Sequence, residues 1–198
     1  MAAPAPTLGR DFIPPPSGDT FGHPTALWQL VHSEFWERFA YYGMRALLAI
    51  YVATTFFGLL PEGDAKAEAA LTYGAYTALI YATGIFGGFI ADRFIGYRRA
   101  IVIGGLLMAA GPFLLLIKDL QWFLLGLSLI VVGNGLFKPN ISTMVGRLYA
   151  PDDARRDSGF TWFYMGINDG GALAPLVCGT LVGAYFGYEW GFFTAGVG

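Results

Sequence analysis

Long apolar stretches separated by short polar segments make up most of this chain. A helix needs about 20 apolar residues to cross the hydrocarbon core of a bilayer. The pattern therefore predicts membrane-spanning helices at about 27–57, 71–91, 100–117, 122–146 and 159–185. A sixth apolar stretch, 190–198, supplies only part of a span. Residues 1–26 are rich in Pro and Gly and do not resemble a signal peptide, so a flexible tail is expected before a helical bundle at 27–198.

The composition narrows the class of protein. Only 13% of the 198 residues are charged, about half the fraction typical of a soluble domain. An all-α integral membrane protein is therefore expected. The net charge of −2 offers no basis for nucleic-acid binding. No His–carboxylate cluster suggests a metal, and no Ser nucleophile with a base is apparent, so an enzyme is not expected.

Basic residues between the spans predict the orientation. Seven of them fall on the side of the N terminus: Arg10, Arg93, Arg98, Arg99, Arg147, Arg155 and Arg156. The opposite loops hold only Lys66 and Lys118. Because cytoplasmic loops carry the excess of Lys and Arg, the N terminus is expected in the cytoplasm. The acidic segment 61–68 is then an outward-facing linker.

The first span carries ionisable residues that hydrocarbon tolerates poorly. Glu34, Glu37, Arg38 and Arg45 share, with Tyr41, a sector of roughly 100° on an ideal helix, over about 16 Å of its length. Such a stripe must face a protein interior or a wet cavity, and it indicates a functional site. The alternative is a structural ladder of ion pairs, but buried ion pairs are poor stabilisers.

Two further spans bring polar groups to a similar depth. Lys138 in the fourth span and Asn168 in the fifth lie about level with Glu37, so the three side chains could meet in one cavity. Lys138 could instead extend to the cytoplasmic interface. Tyr76 lies on the outer half of the second span and either anchors its helix at the membrane interface or has a functional role.

A basic loop joins the second and third spans. Residues 88–99 contain Gly88, Asp92, Gly96 and three arginines. This tight turn either docks on neighbouring helix ends or serves mainly to set the orientation of the spans.

Four motifs in order resemble those of the proton-dependent oligopeptide transporter family, within the major facilitator superfamily. They are E-x-x-E-R-F-x-Y-Y-G at 34–43, the cytoplasmic loop at 88–99, the lysine segment at 135–140 and the signature at 163–168. The resemblance implies the N-terminal six-helix bundle of that fold, with its sixth helix incomplete. It also implies a cell-membrane symporter that imports di- and tripeptides with protons, and whose C-terminal helical half is missing from this sequence.

The resemblance also implies residue roles. Proton coupling would involve Glu34, Glu37, Arg38 and Lys138. Substrate binding would involve Arg38, Tyr41, Tyr42, Arg45, Tyr76, Lys138 and Asn168. The cytoplasmic loop motif would comprise Gly88, Asp92, Arg93, Gly96, Arg98 and Arg99. Protons would be the coupling ion, with no other cofactor, and the partners would be the peptide, the lipid bilayer and the missing half.

One residue departs from the family pattern. Asp169 stands where the signature continues with an aliphatic or small residue. Two other functions stay open: proton-coupled transport of another small anionic solute, and a truncated membrane fragment that does not transport.

Overall fold

A computed structural model describes residues 18–197. A two-stranded hairpin precedes the helices, with strands β1 (Asp19–Thr20) and β2 (His23–Pro24). The helices are α1 (Thr25–Thr55), α2 (Glu62–Ile90), α3 (Tyr97–Leu114), α4 (Leu120–Arg147), α5 (Arg156–Ala174), α6 (Ala184–Phe186) and α7 (Tyr188–Val197). Single π-helical segments, Ala91–Ile95 and Pro175–Gly183, continue α2 and α5. Residues 1–17, including Arg10, and Gly198 lie outside the described residues.

Four helical segments of residues 18–197 are long and apolar enough to cross a membrane. They are Glu62–Ile95, Tyr97–Leu114, Leu120–Arg147 and Arg156–Phe186. Helix α1 has 31 residues and is long enough as well. Its polar stripe makes it less apolar than the other four. Ionisable side chains in a membrane helix almost always face protein or a wet cavity, so the stripe is expected to face one of these.

The second helix begins earlier than the sequence suggested. The segment 61–68, expected as a linker, is largely the first part of α2, which starts at Glu62 directly after Pro61. Glu62 and Asp64 lie in the first turn, where negative charge interacts favourably with the helix dipole. The acidic pattern that resembled a linker is therefore a helix start.

Close helix packing depends on glycine, as two contacts with α4 illustrate. A Cβ on Gly104 of α3 would lie 2.6 Å from the carbonyl oxygen of Gly133 on α4. A Cβ on Gly87 of α2 would overlap the carbonyl oxygen of Gly135. Because small residues let backbones approach in a membrane, both α2 and α3 pack directly against the α4 backbone.

The hairpin lies within the segment expected to be a flexible tail. His23 is buried, and its Nδ1 lies 2.8 Å from the hydroxyl of Tyr149 in the loop between α4 and α5. Burial raises the pKa of Tyr149 to about 12, so its hydroxyl stays neutral. The Trp28 indole donates to the carbonyl of Thr20 at 2.8 Å. These contacts attach the hairpin to α1 through Trp28 and to the α4–α5 loop through Tyr149.

A charged contact fastens the hairpin to the same loop. Arg155 donates to Asp19 at 2.6 Å and to the carbonyl of Gly22 at 3.2 Å. It also donates to Asp153 at 2.9 Å, and this hydrogen bond lowers the pKa of Asp153. One guanidinium thus connects the hairpin to the start of α5.

Candidate functional site

The polar stripe of α1 meets α4 in a buried ion cluster. Arg38 donates from Nε and Nη2 to the two carboxylate oxygens of Glu37, in a fork that suits a guanidinium and a carboxylate. Arg38 Nε also lies 3.5 Å from Oε1 of Glu34. The ammonium of Lys138 on α4 donates to that same oxygen of Glu34. Glu34 is 0% exposed, so its charge depends on these cations.

Asn134 on α4 is the member of the cluster that sequence reasoning missed. Its Nδ2 donates to Oε1 of Glu37 at 2.7 Å, and the residue is buried. The signal that points to it is helical spacing, since Asn134 lies four residues before Lys138 and so on the same face of α4. The two residues therefore hold Glu34 and Glu37 from one side.

Lys138 reaches into the bundle. Its contact with Glu34 places the ammonium in the ion cluster, and the alternative extension toward the cytoplasmic interface is not the conformation observed. Of the three polar groups at similar depth, Glu37 and Lys138 belong to one cluster, whereas Asn168 lies elsewhere.

A cavity of about 250 Å³ opens beside the ion cluster. Its lining residues come from α1, α2 and α4: Arg38, Tyr41, Tyr42, Arg45, Ile80, Tyr81, Gly84, Asn134, Lys138 and Pro139. The guanidinium carbon of Arg38 lies 5.0 Å from the ring centroid of Tyr41 and 5.8 Å from that of Tyr42. Both distances allow a cation–π attraction, which acts together with the ion pair to Glu37 to hold the Arg38 guanidinium at the edge of the cavity.

Arg45 lies one to two turns further along the same face of α1. It donates to the hydroxyl of Tyr73 on α2, and its guanidinium carbon lies 5.3 Å from that ring. Within residues 18–197, the ion pairs involve no carboxylate paired with Arg45. Its charge is therefore the one at the cavity without a balancing carboxylate among the described residues. Tyr73 was not expected as a site residue, because only the fold shows which α2 face meets Arg45.

Two expected binding residues do not line this cavity. Tyr76 is 3% exposed and stacks on Tyr41 with centroids 6.5 Å apart, so it lies behind the lining. Its hydroxyl has no hydrogen-bond partner among the described residues. Asn168 is exposed on α5. It lies one turn from Gly171, where a Cβ would come within 3.2 Å of the Tyr42 ring.

The basic loop docks on the end of α4. The Tyr97 hydroxyl donates to Asp92 and accepts a hydrogen bond from Arg147 Nη2 at 2.8 Å. The Arg147 guanidinium carbon lies 3.9 Å from the Tyr97 ring centroid. Gly96 has a φ of 77° between the π-helical turn and α3, a value that favours glycine. Arg93, Arg98 and Arg99 are exposed.

A larger cleft, of about 620 Å³, lies between the end of α1 and the start of α2. Its walls include Ala49, Ala53, Ala65, Ala69 and Tyr73, and none of the ion-cluster residues borders it. The charged residues at the larger cleft, Glu62 and Lys66, are exposed and pair with each other, whereas Arg38, Arg45 and Lys138 converge on the smaller cavity. Convergent polar groups mark a binding site, so the smaller cavity is the candidate.

Comparisons with known proteins give a consistent result. The model of the POT family, PTR2, matches residues 98–198. A di-/tripeptide transporter of Lactococcus lactis is 46% identical over 180 residues, which is 90% of this chain and 36% of that protein. The uncharacterised transporter YclF of Bacillus subtilis is 46% identical over 185 residues, 92% of this chain and 37% of that protein.

The same likeness holds in three dimensions. A crystal structure of a peptide transporter POT in complex with sulfate superposes with a TM-score of 0.84 at 45% identity, covering 93% of this chain and 37% of that chain. The expected all-α membrane fold is thereby confirmed, and the chain spans a little over a third of the length of these relatives. The family model matches half of the chain, and the four motifs occur in the order expected for the family. The chain belongs to the POT family.

Proposed function

We propose that this chain forms the part of a proton-coupled di- and tripeptide symporter that contains the proton-coupling charges and one wall of the peptide site. The observation that carries the proposal is the ion cluster of Glu34, Glu37, Arg38 and Lys138 beside a cavity lined by cations and tyrosines. The similar transporter of Lactococcus lactis is named for di- and tripeptides.

The charges suit the binding of one carboxylate. Two carboxylates and two cations balance within the ion cluster, and Arg45 adds a positive charge at the cavity. A guanidinium recognises a carboxylate through paired hydrogen bonds. The carboxyl end of a peptide therefore binds at Arg45, and Arg38 joins it once Glu37 no longer holds that guanidinium, while Tyr41 and Tyr42 contact the peptide backbone and side chains.

Proton binding and peptide binding are coupled through shared cations. When a proton from the outer side binds Glu34, that residue loses the charge that holds Lys138. The ammonium then becomes available to the peptide carboxylate. A protonated Glu37 releases Arg38 in the same way. The proton and the peptide thus favour each other's binding, which symport requires.

The proposed setting is the cell membrane, inner or plasma, with the N terminus in the cytoplasm. The basic residues support this orientation. Arg93 in the π-helical turn and Arg98 and Arg99 in the first turn of α3 are exposed at the end that also holds Arg147, Arg155 and Arg156. The hairpin packs against that same end of the bundle.

The test is uptake of a labelled dipeptide into liposomes that contain the full-length transporter and carry an imposed proton gradient. Glu37→Gln and Lys138→Ala abolish concentrative uptake, because each removes one member of the coupled cluster. Lys66→Ala is the control and keeps uptake, because among residues 18–197 this exposed cation pairs with Glu62 alone. Unchanged uptake in either cluster variant contradicts the mechanism.

A second candidate function follows from the same cations. Arg38, Arg45 and Lys138 recognise a carboxylate, which many small solutes other than peptides carry. Competition of the labelled dipeptide by a panel of dipeptides, single amino acids and nitrate separates the two functions. Inhibition by dipeptides alone supports peptide transport, and stronger inhibition by another anion supports the alternative.

A further inference from the structure

Asp169 is an ionisable residue that the proposed transport mechanism does not use. It lies on α5, within the span Arg156–Phe186, whose middle is residue 171. Its neighbour Gly170 packs on α1 at the level of Arg38, where a Cβ would lie 3.2 Å from the Arg38 Cβ. Asp169 is therefore near the centre of a membrane span and level with the ion cluster.

The side chain points away from the packed face of α5. Gly159, Phe163, Gly166, Gly170 and Ala174 form the buried face of that helix. Asp169 is exposed, and among residues 18–197 it makes no hydrogen bond or ion pair with another side chain. No cation of this part of the chain therefore balances its charge.

The neighbours of Asp169 one and two turns away on its own face of α5 are apolar. Trp162, Met165 and Leu173 lie seven residues before, four before and four after it, and so share its face. These side chains are 41%, 46% and 45% exposed. A lone carboxylate in the middle of an apolar stripe is unfavourable against lipid, and such residues in membrane helices almost always face protein or water and pair with another group.

We propose that this stripe, Trp162, Met165, Asp169 and Leu173, packs against a membrane helix from the rest of the transporter that presents a Lys or Arg to Asp169. The relatives are between two and three times as long as this chain, since it covers 37% of the sulfate-bound transporter. The apolar side chains of the stripe provide most of the contact area between the two helices. The buried ion pair of Asp169 with the Lys or Arg determines which helix packs there and in what register. The proposal rests on family membership and not on the proposed peptide transport.

The first test measures thermal unfolding of the detergent-solubilised full-length transporter. Asp169→Leu lowers the melting temperature by several degrees, because the partner cation is left buried and unpaired. Asp169→Asn lowers it less, since the amide still accepts a hydrogen bond. Met165→Leu, one turn away on the same stripe, is the control and leaves it unchanged. An unchanged or raised melting temperature in Asp169→Leu contradicts the proposal, because removal of a lipid-facing carboxylate stabilises a membrane helix.

The second test identifies the partner even if Asp169→Leu does not fold. A photoreactive benzoylphenylalanine replaces Asp169 in the full-length transporter, and a protease site is inserted beyond residue 198. After illumination in the membrane and cleavage, the two fragments stay joined, and mass spectrometry locates the joined helix. Fragments that separate, or a joined helix without Lys or Arg, overturn the proposal. Where a basic residue is found, its replacement by Leu restores the stability lost in Asp169→Leu.

Discussion

At the scale of single residues, the ion cluster depends on how each carboxylate is held. Glu37 receives three hydrogen bonds, two from Arg38 and one from Asn134. Glu34 receives one hydrogen bond from Lys138, and its Oε2 has no partner among the described residues. Of the two buried carboxylates, Glu34 thus receives fewer hydrogen bonds. A group in that state can accept a proton without breaking a full set of hydrogen bonds.

Replacement of Asn134 tests how far Glu37 depends on α4. We expect Asn134→Ala to lower the free energy of unfolding by about 1.5–3 kcal/mol, the usual cost of losing a hydrogen bond to a buried charge. Thermal unfolding of the full-length transporter measures this loss. Thr143→Ala is a matched control, because the hydroxyl of that exposed residue donates to the Pro139 carbonyl of its own helix at 2.9 Å and bonds to no other helix among the described residues. Equal effects of the two variants are the result that contradicts the role of Asn134.

At the scale of helices and strands, two sets of contacts position the site. Glycine contacts bring α3 and α4 together, and the hairpin fastens the ends of α1, α4 and α5. Neither set of contacts contains a residue of the ion cluster. Both act by fixing the rotation and depth of α1 and α4, from which the cluster side chains project.

The glycine contact makes a sharp comparison possible. We expect Gly104→Ala to destabilise the transporter by about 1–3 kcal/mol, because overpacking forces a backbone shift. The added Cβ would lie 2.6 Å from the Gly133 oxygen and 2.9 Å from the Phe137 nitrogen. Gly74→Ala is the control, since no neighbouring atom of the described residues lies within 4 Å of a Cβ there. Alanine's higher helix propensity makes it neutral or stabilising by up to about 1 kcal/mol. Similar melting temperatures for the two variants would disprove the close packing.

The hairpin contact is tested by hydrogen–deuterium exchange. Arg155→Ala removes the bonds to Asp19 and Gly22, so the amides of residues 18–24 are expected to exchange faster while those of α1 keep their protection. Arg156→Ala, the adjacent exposed arginine, serves as the control and leaves hairpin exchange unchanged. Slow exchange that persists in Arg155→Ala contradicts this role of Arg155 and shows that the remaining contacts, His23–Tyr149 and Trp28–Thr20, are enough to hold the hairpin.

At the scale of the whole molecule, the cavity beside Arg38 and Arg45 is bounded by α1, α2 and α4. Transporters of this superfamily bind substrate between two helical bundles, which rock against each other to expose the site alternately to each side. The described helices correspond to one bundle. We propose that the exposed stripe around Asp169 and the cationic cavity both face the other bundle.

Residues 1–198 by themselves are therefore expected not to carry out coupled transport. Liposomes that contain only this chain are compared with liposomes that contain the full-length transporter, under the same proton gradient and with the same labelled dipeptide. Uptake is expected in the second sample alone, because alternating access needs two bundles. Proton-driven uptake by residues 1–198 alone would refute this expectation.

The sequence by itself determined the membrane helices and the polar stripe of α1. Both follow from local regularities: the length of an apolar run and the 3.6-residue period that places Glu34, Arg38 and Arg45 on one face. The order of the four motifs also sufficed to identify the family. These features do not depend on which helix lies beside which.

Only the tertiary structure decided the partners. Lys138 pairs with Glu34, Asn134 bonds to Glu37, Asn168 lies away from the cavity, and residues expected to be a tail form a docked hairpin. The physical reason is that the rotation and crossing of packed helices depend on many distant contacts, such as Gly104 against Gly133. Helical period places a side chain on its own helix, and packing decides what that side chain meets.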